Sequence, residues 1–337
     1  MLAAVFQGNK KFNLGIHNLP KLGKDELLIR IGSCGICGTD RHIYEGKAPS
    51  SIPIILGHEF SGTIVEKGNP DLKFKIGQKV VIDPNIYCGQ CDYCRKGMVN
   101  FCENLKALGV TLNGGFAEYC IVPSSQAYVL PDDFDLSVAA FSEPLSCCLR
   151  GINHADIKLG NTVVIIGGGS IGLLMVQLVR IAGASQIILI EPNLNKQKLG
   201  IKLGVDYAFN PDSEKLFEQI NDLTNNQVDI VLECVGNKDT VDSAIKIAGK
   251  GGKVVIFGLA PKDQTINLNL QHLFQKELKI FNSYLNPFTF KSAVDLLVNR
   301  KISVKELLTK QLNLIDIPNF FSDNIIAGNI KVQIINN

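Results

Sequence analysis

A glycine-rich turn joins two apolar runs near the middle of the chain and limits the possible folds more than any other segment. The first run, TVVIIG, is short and rich in β-branched residues, whereas the second, SIGLLMVQLVRIAG, has apolar residues at helical spacing. Gly167, Gly169 and Gly172 lie at the turn with the spacing G-x-G-x-x-G. A strand, a tight turn and a helix in this order begin a βαβ unit, so we predict a parallel sheet covered by helices.

The alternation of strands and helices continues beyond this turn. QIILIEP predicts a second strand and NKQKLGIKLG a second helix, and the apolar runs VDIVLECVG and GGKVVIFGL follow helical stretches. We therefore predict an α/β protein with a Rossmann doubly wound parallel sheet over residues 142–278. The first 130 residues contain short β-rich segments separated by Gly and Pro, which predicts a second, β-rich domain. It comprises residues 1–141, and residues 279–337 return to it.

Composition excludes several classes of function. A chain of 337 residues that is 46% hydrophobic and 20% charged has the make-up of a globular protein with two ordinary domains. Its net charge of +2 is spread along the chain, so we expect neither nucleic acid nor membrane as a partner. The uncharged stretch 161–179 is interrupted by three glycines, which favours strand–turn–helix over a membrane span. The first residues lack the pattern of a secretory signal, and we expect a cytoplasmic protein.

Four of the ten cysteines fall in one short segment. Ten cysteines without a secretory signal favour metal ligation over disulfides. Their spacing is C-x2-C-x2-C-x7-C, formed by Cys88, Cys91, Cys94 and Cys102. Four thiolates in a compact loop can close a tetrahedron around Zn²⁺ with no open position, which predicts a structural zinc site. Free or redox-active thiols and an iron–sulfur cluster are the less favoured alternatives.

A second candidate metal site combines Cys37 with the segment Gly57-His58-Glu59. A catalytic zinc needs about three protein ligands and a vacant position, and Cys37 and His58 are suitable donors. His58 and Glu59 are adjacent, however, and in a regular strand successive side chains point to opposite faces. Both can reach one metal only if the backbone is irregular there. A redox-active Cys34–Cys37 pair is the alternative interpretation.

Together these residues resemble the zinc-containing branch of the medium-chain dehydrogenase/reductase family over nearly the whole chain. GHEFSG followed by Gly68 is similar to the family's zinc signature, from which Asp71 departs by being acidic. The resemblance implies a GroES-like catalytic domain and a Rossmann domain that binds NAD. It also implies one catalytic and one structural zinc per chain, and a homodimer or homotetramer. The strand GGKVVIFGL and the following FNSYL are the candidates for pairing between subunits.

The resemblance also implies roles for residues around the catalytic zinc. Simple alcohol dehydrogenases have a cysteine ligand where this chain has Glu143, and in that respect the chain is similar to sorbitol dehydrogenases and related polyol enzymes. The implied zinc shell is Cys37, His58, Glu59 and a water, with Glu143 contacting or exchanging with that water. Whether Glu59 or Glu143 is the third protein ligand stays open. Thr39 and His42 match the family's proton relay to solvent.

The cofactor-binding residues implied by the resemblance belong to the glycine-rich turn and to the end of the next strand: Gly167, Gly169, Ile171, Gly172, Glu191 and Lys196. The backbone of the turn can approach a pyrophosphate at a helix N-terminus. Glu191 lies 19 residues beyond Gly172. There its carboxylate would accept hydrogen bonds from the ribose hydroxyls and repel a 2′-phosphate, which favours NAD over NADP. Lys196 resembles the family's basic residue beside the ribose. A solvated strand-end acid is the alternative for Glu191.

The sequence thus predicts an enzyme that oxidises a secondary alcohol to a ketone with NAD. The substrate class is a polyol, a sugar alcohol or a sugar-alcohol phosphate. Sorbitol itself is disfavoured, because sorbitol dehydrogenases have a tyrosine at the position of Ile43 and an arginine in the segment matching Asn282-Ser283-Tyr284-Leu285. Alternatives are a simple alcohol, diol or threonine dehydrogenase and, from another class, a non-catalytic zinc-binding scaffold. The joint presence of ligand and relay residues disfavours the scaffold.

Overall fold

The chain divides into two compact units. The computed structural model describes residues 1–19, 21–323 and 328–336. The first unit comprises Met1–Ser146 and Pro287–Asn337, and the second comprises Cys147–Asn286. The sequence placed the boundaries at 141 and 278, whereas the structure assigns residues 142–146 to the first unit and residues 279–286 to the second. The reason is that a strand at Lys279–Asn282 pairs with the strand preceding it.

The regular elements are named here in chain order. The strands are β1 Leu2–Phe6, β2 Phe12–Ile16, β3 Glu26–Ile36, β4 Ile54–Ile55, β5 Glu59–Lys67, β6 Lys79–Ile82, β7 Asn85–Ile86, β8 Lys106–Ala107, β9 Tyr119–Pro123, β10 Ala127–Val129, β11 Thr162–Ile166, β12 Gln186–Ile190, β13 Tyr207–Phe209, β14 Ile230–Glu233, β15 Lys253–Ile256, β16 Lys279–Asn282, β17 Leu308–Leu312 and β18 Lys331–Ile335. The α-helices are α1 Gly38–Tyr44, α2 Asp92–Arg95, α3 Leu136–Ala139, α4 Ser142–Ala155, α5 Ser170–Ile181, α6 Leu194–Leu203, α7 Leu216–Thr224, α8 Lys238–Ile247, α9 Leu270–Lys276, α10 Phe290–Val298 and α11 Ile317–Ser322. Short 3-10 helices cover Val99–Phe101, Ser124–Gln126, Lys305–Leu307 and Leu314–Asp316.

The first unit is built on a seven-stranded sheet in which β3 is the central element. The strand order is β10-β6-β5-β3-β18-β17, and β9 also pairs with β3. β3 is antiparallel to β5, with Gly35 opposite Glu59, and antiparallel to β18, with Ile36 opposite Val332. The end of β3, the start of β5 and the start of β18 therefore meet at one place. Three stretches far apart in sequence are joined there.

The second unit is a six-stranded parallel sheet in the order β13-β12-β11-β14-β15-β16. Its central strands are almost continuously apolar because helices cover both faces, and Val163–Ile166 and Ile187–Ile190 are buried. The strand order reverses between β11 and β14, which is the doubly wound arrangement. The predicted Rossmann sheet is confirmed.

The sixth strand, β16, changes one detail of the sequence interpretation. β15 pairs with β14 and β16, so its two edges are both occupied. Within the described residues β16 pairs only with β15 and leaves its outer edge unpaired. Of the two segments proposed for pairing between subunits, GGKVVIFGL contains the interior strand β15, and only FNSYL, which begins within β16, lies at an edge. No helix in the described ranges is long and apolar enough to cross a membrane. The uncharged stretch 161–179 forms β11, a turn and part of α5.

Candidate metal centres and cofactor site

The four cysteines of the segment 88–102 converge in the structure. The Sγ atoms of Cys88, Cys91, Cys94 and Cys102 all lie within 4.8 Å of one another. The short hairpin of β7 and β8 frames the segment at its two ends, and Cys91 is the N-cap of α2. Four sulfur donors at this separation suit a tetrahedral zinc ion with every position taken by protein.

Backbone N–H groups point at two of these sulfur atoms, those of Cys88 and Cys102. Cys88 N donates to Cys102 Sγ at 3.3 Å, Cys91 N to Cys88 Sγ at 3.4 Å and Asn104 N to Cys102 Sγ at 3.4 Å. Backbone hydrogen bonds from Gln90 and Cys91 lower the pKa of Cys88 to about 6. Such donors stabilise thiolates, the form in which cysteine binds metal. The donor set fits zinc in both geometry and chemistry.

A second cluster brings together one ligand atom each from Cys37, His58 and Glu59, all within 4.8 Å of one another. Cys37 is the N-cap of α1, directly after β3. Gly57 has a φ of +89°, and β5 begins only at Glu59, so His58 precedes the regular strand. This irregular backbone lets two adjacent side chains reach one point. Thiolate, imidazole and carboxylate are donors that zinc accepts, and three of them leave a fourth position vacant.

Asp40 organises this cluster without belonging to it. Its side chain is fully buried; Oδ2 accepts Cys37 N at 2.9 Å and Oδ1 accepts Gly57 N at 3.3 Å. Oδ1 also lies 3.4 Å from His58 Nδ1. Burial acts to lower the pKa of His58, but Asp40 and Cys37 outweigh it and raise that pKa well above the usual value. One carboxylate thus fixes the segments that carry two of the candidate ligands.

Lys331 is paired with Glu59 inside the same cluster. Its Nζ donates to Glu59 Oε1 at 2.8 Å and Oε2 at 2.7 Å, and both side chains are almost fully buried. A Cβ at Gly35 would lie 2.0 Å from Glu59 Oε2, so only glycine leaves room for this carboxylate. Burial opposes the charge on Lys331, yet Glu59 and Cys37 raise its pKa above the ordinary value. The cluster therefore contains a buried cation as well as anionic donors.

Glu143 lies in the first turn of α4 and is electrostatically coupled to the cluster. Burial raises the pKa of Glu143 to about 7. The charge of His58 opposes this increase, whereas the negative charges of Glu59 and Asp83 add to it. Glu143 is not one of the three residues whose ligand atoms fall within 4.8 Å of one another. Of the two carboxylates that the sequence left open, the geometry groups Glu59 with Cys37 and His58.

The two predicted relay residues lie on α1. The Cys37 thiol is 3.7 Å from Thr39 Oγ1, which places the threonine hydroxyl beside a candidate ligand. His42 is half-buried one turn further along the helix, and its carbonyl accepts Lys47 N at 2.7 Å. A hydroxyl next to the cluster and an imidazole nearer the surface are groups suited to moving a proton.

The glycine-rich turn forms an open cradle in the second unit. A Cβ at Gly172 would lie 1.8 Å from Gly167 O, so the turn and α5 approach each other closely. Above Gly169, by contrast, nothing lies within 4 Å of an added Cβ. Gly169 is the N-cap of α5, and Ser170 and Ile171 begin its first turn. Open space above half-buried backbone at a helix N-terminus fits the pyrophosphate of a dinucleotide.

Glu191 follows β12 and is tied to this turn. Its Oε2 accepts Gly168 N at 2.6 Å, its Oε1 accepts Asn193 N at 2.9 Å, and the residue is only 6% exposed. Asn193 caps α6, with Lys196 N donating to its Oδ1 at 3.2 Å. Glu191 therefore positions the glycine-rich turn through Gly168. The alternative of a solvated strand-end acid does not fit this burial.

Sequence reasoning gave no role to Asp40 or Lys331. Asp40 had a local signal, because Cys37 and Asp40 have the spacing of an N-cap and the third helical residue. Lys331 had none, since it lies 272 residues from Glu59 in sequence. Only the pairing of β18 with β3 brings it to the cluster.

Two protein-family models match this chain. Residues 23–132 match the alcohol dehydrogenase GroES-like domain, and residues 170–299 match the zinc-binding dehydrogenase family. The first match lies in the β-rich unit, and the second covers most of the parallel-sheet unit.

Individual proteins are similar over almost the whole length. D-arabitol-phosphate dehydrogenase of Enterococcus avium is 33% identical over 328 residues, covering 95% of this chain and 92% of that protein. A structure described as a zinc-binding dehydrogenase from Sinorhizobium meliloti 1021, bound to NADP, superposes with a TM-score of 0.97 at 38% identity, covering 99% of each chain. Galactitol-1-phosphate dehydrogenase from Escherichia coli superposes with a TM-score of 0.91 at 28% identity, covering all of both chains.

Proposed function

Because this chain belongs to the zinc-containing medium-chain dehydrogenase/reductase family, with its GroES-like and zinc-binding dehydrogenase domains, we propose that it oxidises a polyol to a ketone with NAD. The observation that carries the proposal is the convergence of Cys37, His58 and Glu59, with Glu143 coupled to them. A carboxylate in place of a second cysteine is the feature that the sequence shares with polyol enzymes. Similarity to dehydrogenases named for arabitol phosphate and galactitol 1-phosphate supports the same substrate class.

Cys37, His58 and Glu59 would hold the catalytic zinc, which when bound acts as a Lewis acid and lowers the pKa of an alcohol hydroxyl. Thr39 would relay the hydroxyl proton: its Oγ1, which lies beside Cys37, would accept this proton and release its own towards His42. His42 would pass the proton to solvent, because imidazole is the side-chain group best suited to gaining and losing a proton near neutral pH. Glu143, whose pKa burial raises to about 7, would gain or lose a proton and so change the net charge around Cys37, His58 and Glu59 during this transfer.

We propose that Cys88, Cys91, Cys94 and Cys102 hold a second, structural zinc. The backbone N–H groups aimed at the sulfur atoms of Cys88 and Cys102 support this, because they stabilise the thiolate form that binds metal. With every ligand supplied by protein, the ion has no position for substrate. Zinc analysis of the purified protein tests the count, and two ions per chain is the expected result.

NAD is the proposed cofactor rather than NADP. Gly167, Gly169 and Gly172 would approach the pyrophosphate at the start of α5, where Ile171 also lies. Glu191 at the end of β12 supports NAD, since its carboxylate would repel a 2′-phosphate, and Lys196 would lie beside the ribose. The similar structure with bound NADP makes the choice a necessary test. We expect NADH to bind at least about tenfold more tightly than NADPH, a difference of about 1.4 kcal/mol.

We propose that the chain forms a homo-oligomer through the free edge of β16. Among the described residues, nothing pairs with the backbone donors and acceptors on the outer side of β16, and the preceding helix α9 exposes Leu270 and Phe274, at 76% and 83%. An unpaired edge beside exposed apolar side chains is a surface that pairs with another chain. Light scattering after size-exclusion chromatography distinguishes a monomer from a dimer or tetramer.

The deciding experiment follows NADH absorbance while zinc-loaded protein is incubated with NAD and one alcohol at a time. The panel contains arabitol, xylitol, sorbitol and galactitol, the phosphates of arabitol and galactitol, threonine, 2,3-butanediol and 2-propanol, with NADP as the cofactor control. We expect turnover of a polyol or polyol phosphate that is lost on zinc removal and restored by zinc. Preferred turnover of 2-propanol or threonine would replace the polyol assignment by one of the alternatives. No turnover, in protein that holds zinc and binds NADH, would contradict the proposal.

A further inference from the structure

Glu233 is a buried carboxylate that takes no part in the chemistry proposed above. It ends β14 at the carboxyl edge of the parallel sheet and is completely inaccessible to solvent. Its Oε1 accepts two backbone N–H groups, from Val235 at 2.8 Å and Gly236 at 2.9 Å. Its Oε2 is buried and has no hydrogen-bond partner within the described residues. Burying an unpaired polar oxygen costs free energy, so the residue needs an explanation other than packing.

The two hydrogen bonds fix the turn that follows β14. Gly236 has a φ of +82°, and a Cβ there would lie 2.6 Å from both Gly258 C and Leu259 N. The turn therefore touches, backbone against backbone, the segment that follows β15. The carbonyl of Glu233 accepts Phe257 N at 2.8 Å and Gly258 N at 3.1 Å from that same segment. Through its side chain and its backbone, Glu233 joins the ends of two neighbouring strands.

The fixed turn presents Val235 to the glycine-rich cradle. A Cβ at Gly167 would lie 2.7 Å from Val235 Cγ2, so this side chain packs directly on the turn after β11. Val235 is nevertheless 45% exposed, which leaves an apolar surface beside the cradle. β11 and β14 are the neighbours at which the strand order reverses, and open parallel sheets bind dinucleotides outside the carboxyl ends of such strands. Val235 therefore lines the place where the cofactor enters.

We propose that Glu233 is a positioning residue for the dinucleotide: its buried carboxylate holds the turn 234–236 so that Val235 forms one wall of the cofactor site. The inference rests on the proposed use of a nicotinamide dinucleotide. The carboxylate acts as a hydrogen-bond acceptor and not as a charge, because one oxygen receives both N–H groups while the other receives none. A glutamine at this position retains the accepting oxygen, whereas a leucine of similar size leaves the buried Gly236 N–H and the partly buried Val235 N–H without this acceptor.

The test compares Glu233→Leu with Glu233→Gln in the zinc-loaded protein, using nicotinamide fluorescence to measure the Kd of NADH and NADPH. We expect the leucine variant to bind the preferred cofactor at least about tenfold more weakly and the glutamine variant to stay within about threefold of wild type. The KM for NAD should rise in the leucine variant, while kcat at saturating NAD and the KM for the alcohol change little. Glu218→Leu, on an exposed turn of α7, is the matched control and should leave the Kd unchanged.

Gly236→Ala disturbs the same turn from the opposite side and serves if the leucine variant does not fold. Its Cβ would press on Leu259 N, so the Kd of NADH should again rise about tenfold. An unchanged Kd in folded Glu233→Leu and Gly236→Ala would overturn the inference. Equal weakening by leucine and glutamine would also overturn it, because the charge would then be the active feature. If wild type binds neither NADH nor NADPH, the proposed cofactor is wrong; if wild type binds and the variants match it, only the role of Glu233 is wrong.

Discussion

The two candidate zinc sites lie in the same unit but are built in opposite ways. The ligands of the first lie between Cys88 and Cys102, are of one chemical type and are oriented by local backbone N–H groups. The second draws on β3, β5 and β18, mixes Cys37 and Glu59 with a histidine, and contains the buried cation Lys331. A local site of identical ligands needs little besides its own loop, whereas a distributed site depends on the whole sheet. The first is accordingly suited to stability, and the second to reactivity.

Replacing Cys37 with alanine should have the largest effect, and this effect should be on turnover and not on the stability of the fold. Removing a ligand of the catalytic zinc removes a Lewis acid that contributes several kcal/mol, so we expect kcat/KM to fall by about 10³-fold or more. Metal analysis should show the loss of one zinc per chain, with the thermal transition changed by only a few degrees. Cys34→Ala, in the adjacent core, is the control and should retain both zinc ions and the activity. If Cys37→Ala keeps its full zinc content and more than a tenth of the wild-type activity, Cys37 is not a ligand of a catalytic zinc, and the proposed difference in function between the two sites is wrong.

Replacing Lys331 with methionine tests whether the distributed site depends on its buried ion pair. Leaving Glu59 charged and unpaired in the interior should destabilise the zinc-free protein by about 3–5 kcal/mol in urea unfolding. Zinc bound at the cluster would compensate the lone carboxylate, so the loss should be smaller in zinc-loaded protein. The double variant Glu59→Gln, Lys331→Met should be less destabilised than Lys331→Met alone.

The matched control is an exposed pair of the same unit. Lys291 Nζ lies 2.6 Å from Asp295 Oδ1 with both side chains more than half exposed, so Lys291→Met should cost less than about 1 kcal/mol. Equal losses in Lys331→Met and Lys291→Met would show that burial of the Glu59–Lys331 pair has no energetic consequence.

The contrast between the sites also explains how far the sequence could predict this molecule. The spacing from Cys88 to Cys102 contains the whole local site, and the glycine-rich turn predicts the parallel sheet. The distributed site was predicted only in part, because strand pairing and not spacing brings Lys331 to Glu59. The sheet boundary was missed at β16 for a related reason. Lys279–Asn282 is a half-exposed edge strand and therefore lacks the apolar run that identified the buried strands.

Replacing Cys94 with serine should lower stability and leave the chemistry intact. Loss of the structural zinc frees the loop, and we expect about 3 kcal/mol of destabilisation, which lowers the Tm by roughly 10 °C for a unit of this size. One zinc per chain should be lost, and kcat per folded molecule should stay within about twofold of wild type. Cys147→Ser in the second unit controls for the exchange of sulfur for oxygen and should keep both ions. An unchanged Tm with full zinc content would mean that these four cysteines do not hold a metal.

The smallest expected effect is a pH dependence that arises from Glu143, beside the distributed site. Burial raises the pKa of Glu143 from 4.5 to about 7 in the folded, zinc-free protein. A raised folded-state pKa means that the group favours folding while protonated, so its contribution is complete below about pH 4.5 and is lost as pH rises through 7. The stability of zinc-free wild type should therefore fall by about 2 kcal/mol between pH 5 and pH 8 relative to Glu143→Gln. His58 also has a raised pKa and contributes with the same sign, so the effect is taken as the difference between wild type and Glu143→Gln. Urea unfolding at several pH values measures it, and parallel curves for the two proteins would show that Glu143 is not titrating in this range.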